Sequence, residues 1–283
     1  MNKTTYTVVD LECILYSCDN VRCLLIQPVD EHDLELLDEQ VKYIADEVGE
    51  TFALAAFKVR DWNKELSPWE AEAVFGKQPF TGGAKETLEF VKQHFLPDAL
   101  SRCGIDTNIT HSNIPVIIGG YSLAALFALW CGYTSNGFAA IAAASPSVWF
   151  PSWSDFMKIN DIKAGSVYLS LGDKEEKTRN KTMAKVGDCI REQFEILKEY
   201  YRDKTDIESY KNSDAGIGSE ENNDGGIESE ENSDVGIGSE ENNAVGNDAE
   251  STMRVMLDWN EGNHFRDSHI RTAKAFVWCV KSL

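Results

Sequence analysis

From residue 21 onward this chain repeats a rhythm: short, unbroken apolar runs alternate with stretches of helical spacing. The runs are VRCLLIQPV (21–29), TFALAAFKV (51–59), IPVIIGG (114–120), FAAIAAAS (138–145), SVYLSLG (166–172) and MRVMLDW (253–259). Between them lie DLELLDEQVKYIADEVG (33–49), with Leu34, Leu37, Val41 and Ile44 at helical spacing and Gly49 as a stop, and KETLEFVKQHFLPDAL (85–100). LAALFALWCGY (123–133), TMAKVGDCIREQFEILKEYY (182–201) and RTAKAFVWCVKSL (271–283) complete the helices, and TTYTVVDLECILYS (4–17) reads as one or two early strands. Strands that are apolar throughout are buried on both faces. Alternated with helices, they predict an α/β three-layer sandwich with a mostly parallel central sheet. A length of 283 residues is read as one such domain, 1–283.

The rhythm breaks once. Residues 203–250 hold fifteen acidic and two basic side chains, which is −13 of the chain's net −20. Within them a ten-residue unit repeats: NSDAGIGSEE (212–221), NNDGGIESEE (222–231) and NSDVGIGSEE (232–241). One isoleucine per unit buries too little apolar area to offset the entropy of ordering the backbone. About 205–250 is therefore expected to be a disordered acidic insertion in the loop before the last strand, where length is tolerated. A GGxGxD calcium repeat is the competing reading, but its period is nine and it needs more copies. The acidity argues against a nucleic-acid partner.

No stretch reaches the roughly 18 apolar residues of a membrane span, and the N-terminus lacks an export pattern. The expectation is a cytoplasmic protein with no membrane partner. Its seven scattered cysteines would be reduced and mostly buried.

In a parallel sheet, ligands bind at the carboxyl ends of the strands, so the residues just after each strand are informative. After IPVIIGG come Tyr121 and Ser122, and a helix starts at once. Gly120 two residues before the serine, and Ala124 and Ala125 after it, supply the small neighbours of a tight G-x-S-x-G-like elbow, with Ala125 read as replacing the second glycine. A serine that merely caps the helix is the plainer alternative. An acid and a histidine come next, in that order. Gly172 leads into Asp173 and Glu175, and Gly262-Asn263 into His264, each directly after a strand. Nucleophile, acid and base at three strand ends match a Ser-His-acid triad. Glu175 is favoured as the acid, with Asp173 as the alternate. A metal pair of His264 with His269 is the weaker reading, so no metal and no cofactor are expected.

The blocks GGYSLAALFALW, AAASPSVWF, VYLSLGDKEE and GNHF resemble the putative-esterase branch of the α/β-hydrolases, which includes ferric-siderophore esterases and S-formylglutathione-hydrolase-like enzymes. The resemblance spans most of 20–200 and 253–283, and Glu65-Leu66-Ser67-Pro68 adds to it. It implies the α/β-hydrolase fold and ester cleavage through an acyl-enzyme on Ser122, with a small-molecule ester as partner. Thioester or acyl-transfer chemistry would use the same residues. A non-catalytic binding or scaffold protein on this fold is the other alternative.

The chain departs from that branch in lacking a glycine-rich oxyanion loop; Gln27-Pro28-Val29-Asp30 stands there. An oxyanion hole needs two donors. The Leu123 N–H is the first; Val29 is chosen for the second because Pro28 has none, with Asp30 in reserve. Tyr121, Trp62, Trp69 and Trp149 are read as substrate-binding, with Trp153 nearby, although each tryptophan could equally pack a loop.

Overall fold

The computed structural model describes residues 1–74, 76–105, 114–214 and 254–283. The strands are β1 (Asn2–Val8), β2 (Leu11–Ser17), β3 (Cys23–Val29), β4 (Phe52–Lys58), β5 (Glu70–Ala71), β6 (Phe80–Thr81), β7 (Val116–Tyr121), β8 (Ala140–Ala144), β9 (Ser166–Gly172) and β10 (Val255–Asn260). All but β5 and β6 build one sheet in the order β1-β2-β4-β3-β7-β8-β9-β10. β1 and β2, and β2 and β4, pair antiparallel; the remaining neighbours are parallel. β5 and β6 form a separate two-stranded hairpin.

The helices are α1 (Glu31–Val48), α2 (Trp62–Glu65), α3 (Ala84–Phe90), α4 (Leu96–Arg102), α5 (Leu123–Thr134), α6 (Trp153–Ile159), α7 (Val186–Asp214) and α8 (Ser268–Lys281). A single π-type turn, Val91–Phe95, joins α3 to α4. The compact unit comprises Met1–Tyr201 and Met253–Leu283. Of Arg202–Thr252, the helical stretch to Asp214 is described. Of the expected insertion at about 205–250, residues to Asp214 continue α7; the rest lies outside the described residues.

Three layers arise from the alternation of strand side chains across the sheet. Leu25 and Ile117 face one side and pack with Leu37, Val41 and Ile44 of α1 and Ala273 and Phe276 of α8. Leu24, Ile26 and Ile118 face the other and pack with α5, Val91 and Phe95, and Ile190 and Leu197 of α7. Among the described residues, no helix is long and apolar enough to cross a membrane. All seven cysteines are free.

The strand order changes direction between β3 and β7, which opens a crevice at their carboxyl ends. Pro28 marks that opening. A proline in a central strand normally leaves a ladder bond unmade. Here the β3–β7 pairing stops at Ile26 and Ile118. Leu24 donates its N–H to Pro115 beside β7. Residues of even number in β3 therefore face β7, and Pro28 falls where β7 has already diverged.

Candidate active site

Ser122 sits between β7 and α5 with φ 57° and ψ −116°, a strained conformation for a residue with a side chain. Strand and helix meet so closely that a Cβ on Gly120 would lie 2.7 Å from the Cβ of Ala124. The small residue that completes the elbow is thus Ala124, two positions after the serine. The sequence-based choice of Ala125 is corrected: it is buried, one position further along α5. Leu123 opens α5, so its N–H has no acceptor within the helix.

His264, after β10, places Nε2 2.9 Å from Ser122 Oγ and Nδ1 2.6 Å from Glu175 Oε2. Glu175, after β9, is 7% exposed. Its other oxygen accepts from Gly172 N (2.7 Å), Ser145 Oγ (2.8 Å) and Arg271 Nη1 (2.9 Å). Burial disfavours its charge. The hydrogen bond and charge of His264, with the Gly172 N–H and the Ser145 hydroxyl, outweigh that and hold the carboxyl below its ordinary value. Gly172 leaves room for this cluster, since a Cβ there would come within 2.4 Å of the Gly262 carbonyl oxygen. Asp173, the alternate acid, is exposed and accepts the Gly262 N–H at 2.7 Å, so it pins the histidine loop, while the His264 ring meets Glu175.

Sequence reasoning missed Arg271. It is 2% exposed, and its Nη1 reaches Glu175 and donates to the Tyr121 hydroxyl at 3.1 Å. Nη2 donates to the carbonyls of Glu261 (3.0 Å) and Asn263 (3.1 Å). Tyr121 in turn donates to the His264 carbonyl at 2.7 Å. One guanidinium thus ties the strand before the serine, the acid and the histidine loop. A signal was available: Arg271 shares a helical stripe with buried Ala275 and Cys279, and a charge on an apolar face needs a partner.

Two clefts meet at His264 and Phe265. One, of about 230 Å³, is lined by Asp30, His32, Asp33, Trp62, Tyr121, Ser122 and Ser268. The other, of about 200 Å³, is lined by Pro146, Trp149, Lys174, Lys177 and Met183, among others. Phe265 is 89% exposed between them. Trp62 and Trp149 therefore line the clefts. Trp69 and Trp153 instead pack: Trp69 donates Nε1–H to Pro151 O (2.9 Å) and stacks on Trp153, itself bonded to Gln193. Ser67 is likewise internal, bonded to the Asn63 carbonyl and the Gly82 N–H. His269 pairs with Glu39 at 3.2 Å, away from His264's partners. No cluster of three or more metal-ligating side chains occurs among the described residues.

No protein-family model matches the sequence, and no curated protein matches it. Solved structures do. An IroE-like serine hydrolase from Shewanella oneidensis is similar with a TM-score of 0.61 at 12% identity, over 98% of this chain and 79% of that one. The siderophore hydrolase EstB from Aspergillus nidulans gives 0.58 at 12% identity, over 98% and 93%. EstA, a siderophore hydrolase of the same organism, gives 0.54 at 14% identity, over 99% and 94%. This is the α/β-hydrolase fold.

The loop after β3 borders Ser122, since Asp30 and Ser122 line one cleft. Val29 is fully buried, and its carbonyl accepts the Val59 N–H. In a parallel ladder the N–H of the same residue points to the same neighbour, so Val29 donates toward β4, away from Ser122. The choice of Val29 is corrected on that ground. Asp30 has the opposite parity. It lies beyond the paired residues and lines one cleft with Ser122. Its N–H is accepted by Asp33 Oδ2 at 3.2 Å.

Proposed function

We propose that this chain is a serine hydrolase of carboxylic esters. The observation that carries the reading is the continuous hydrogen-bonded line Ser122–His264–Glu175 at three strand ends, beside an open cleft. Ser122 Oγ attacks the ester carbonyl as His264 Nε2 takes its proton, giving a tetrahedral oxyanion. Leu123 N–H, and Asp30 N–H once free, face that charge. His264 returns the proton to the departing alcohol, leaving an acyl-enzyme on Ser122. Water then repeats the sequence with His264 again as base and releases the acid. Glu175 accepts from Nδ1–H throughout, fixing the tautomer that leaves Nε2 free to accept, and stabilises the imidazolium when it forms. The lowered affinity of Glu175 for protons suits that role.

Tyr121 and Arg271 act through the others, holding the loop of His264. The openness of both clefts supports hydrolysis, because water reaches the acyl-enzyme. The similar structures support the reading: three are called hydrolases of siderophores or serine hydrolases, and a fourth, IroE with TM-score 0.51 at 12% identity, is a complex with DFP. A fluorophosphonate probe is expected to label the wild type and to leave Ser122→Ala unlabelled, with p-nitrophenyl ester turnover lost in parallel. A folded wild type that takes no label would overturn the reading.

A further inference from the structure

We propose that Asp33 is a positioning residue that governs the oxyanion hole: its carboxylate holds the Asp30 N–H, and the hole is complete when that carboxylate loses its charge or swings away. This rests on the hydrolase reading above. Asp30 and Asp33 form a reciprocal cap at the start of α1. The Asp33 N–H donates to Asp30 Oδ1 at 2.9 Å, and the return bond from Asp30 N–H to Asp33 Oδ2 is the longer one, 3.2 Å. In most helices such a cap is only structural. Here both residues line the cleft that holds Ser122 and His264. Asp30 is also the first residue past Pro28 whose N–H is held by a side chain at the cleft, while Val29 is paired to the β4 side. A carboxylate on this donor does two things to a developing oxyanion. It occupies the hydrogen bond the oxyanion needs, and it sets a negative charge against a negative charge. A neutral carboxyl reverses both, since its O–H can itself donate.

The groups facing Asp33 fit a side chain poised between these states. Asp30 and His32 flank it in its own turn, Tyr121 and His264 lie across the cleft, and Ser268 stands at the start of α8. Lys58, the nearest cation on β4, is taken by Glu31 and Glu12. Burial and the Asp30 charge raise the Asp33 carboxyl to about 6, against the Asp30 N–H and His32, which favour its ionised form.

The test compares kcat and KM for p-nitrophenyl acetate in wild type, Asp33→Asn and Asp33→Ser from pH 5 to 8.5, with active sites counted by fluorophosphonate labelling. Both replacements remove the charge, and their neutral oxygens hold the Asp30 N–H more weakly than a carboxylate does. The ratio of variant to wild-type kcat is expected to be near one at pH 5 and to climb through pH 6 to roughly tenfold, with KM little changed. A ratio that stays flat across pH in either variant, with labelling intact, overturns the role of Asp33 while leaving the hydrolase reading standing. A wild type that takes no label strikes the reading itself. A cap of purely structural importance would lower stability and labelled fraction alike, without a pH-dependent ratio per labelled site.

Discussion

Arg271 carries more connections at the site than any residue placed there from the sequence. Its Nη1 and Nη2 groups meet a carboxylate, a phenol and two carbonyls in a fixed fork, a geometry that lysine cannot reproduce. Arg271→Met leaves Glu175 and two loop carbonyls short of donors in a buried setting. The expected loss is about 3–5 kcal/mol, read as a lower urea midpoint, and fluorophosphonate labelling should fall in the fraction that stays folded. Labelling at the wild-type rate in folded Arg271→Met would show that the histidine loop needs no such tie. At this scale the sequence was legible where a residue's neighbours in space are its neighbours in the chain. Ser122, Glu175 and His264 could be proposed because each directly follows a strand. Arg271 could not be joined to Glu175, which lies 96 residues away. Val29 was preferred to Asp30 because the parity of a ladder is set by strand pairing, which composition does not reveal.

Among the elements, the crossing of β7 and α5 is the most tightly determined. Gly120 and Ala124 share one space, so each constrains the other across the elbow. Gly120→Ala is expected to cost about 1–3 kcal/mol through overpacking. Ala124→Gly alone should cost about 1 kcal/mol, from helix propensity. Together they should cost less than the sum, because the glycine restores the gap that the new methyl fills. Denaturant unfolding of the four proteins measures this, and strict additivity would place the two side chains out of contact. Strand and helix existence was readable because continuous apolar runs and 3.6-residue periods differ in length and spacing. The short α2 and the β5–β6 hairpin were not, because so few residues show no period. Their loop is fixed instead by contacts across it, such as Gly82 with Ser67 and Trp69 with Pro151.

Across the whole molecule, the two acids at the site pull stability in opposite directions with pH. Glu175 has its folded value lowered, so its contribution is complete above the ordinary glutamate value of 4.5 and is lost as pH falls through the folded value. Asp33 is raised from 3.8 to about 6. The folded chain therefore holds the extra proton in that window, and stability drops as pH rises through it. Relative to wild type, Asp33→Asn is expected to gain in urea midpoint between pH 4 and pH 7, while the wild type's margin over Glu175→Gln should shrink below pH 4.5. Parallel curves for all three proteins would contradict both directions.

The ties of Arg271 have one more consequence, which concerns time. Translation supplies Ser122 first, then Glu175, then His264, and Arg271, which binds their three loops together, comes last, on α8. A growing chain that has already shaped the turn around Ser122 lacks its His264 partner and the Arg271 brace until the segment through α8 has emerged and docked. On the proposed reading, the nascent protein is chemically silent, and reactivity arrives as a late and nearly all-or-none event.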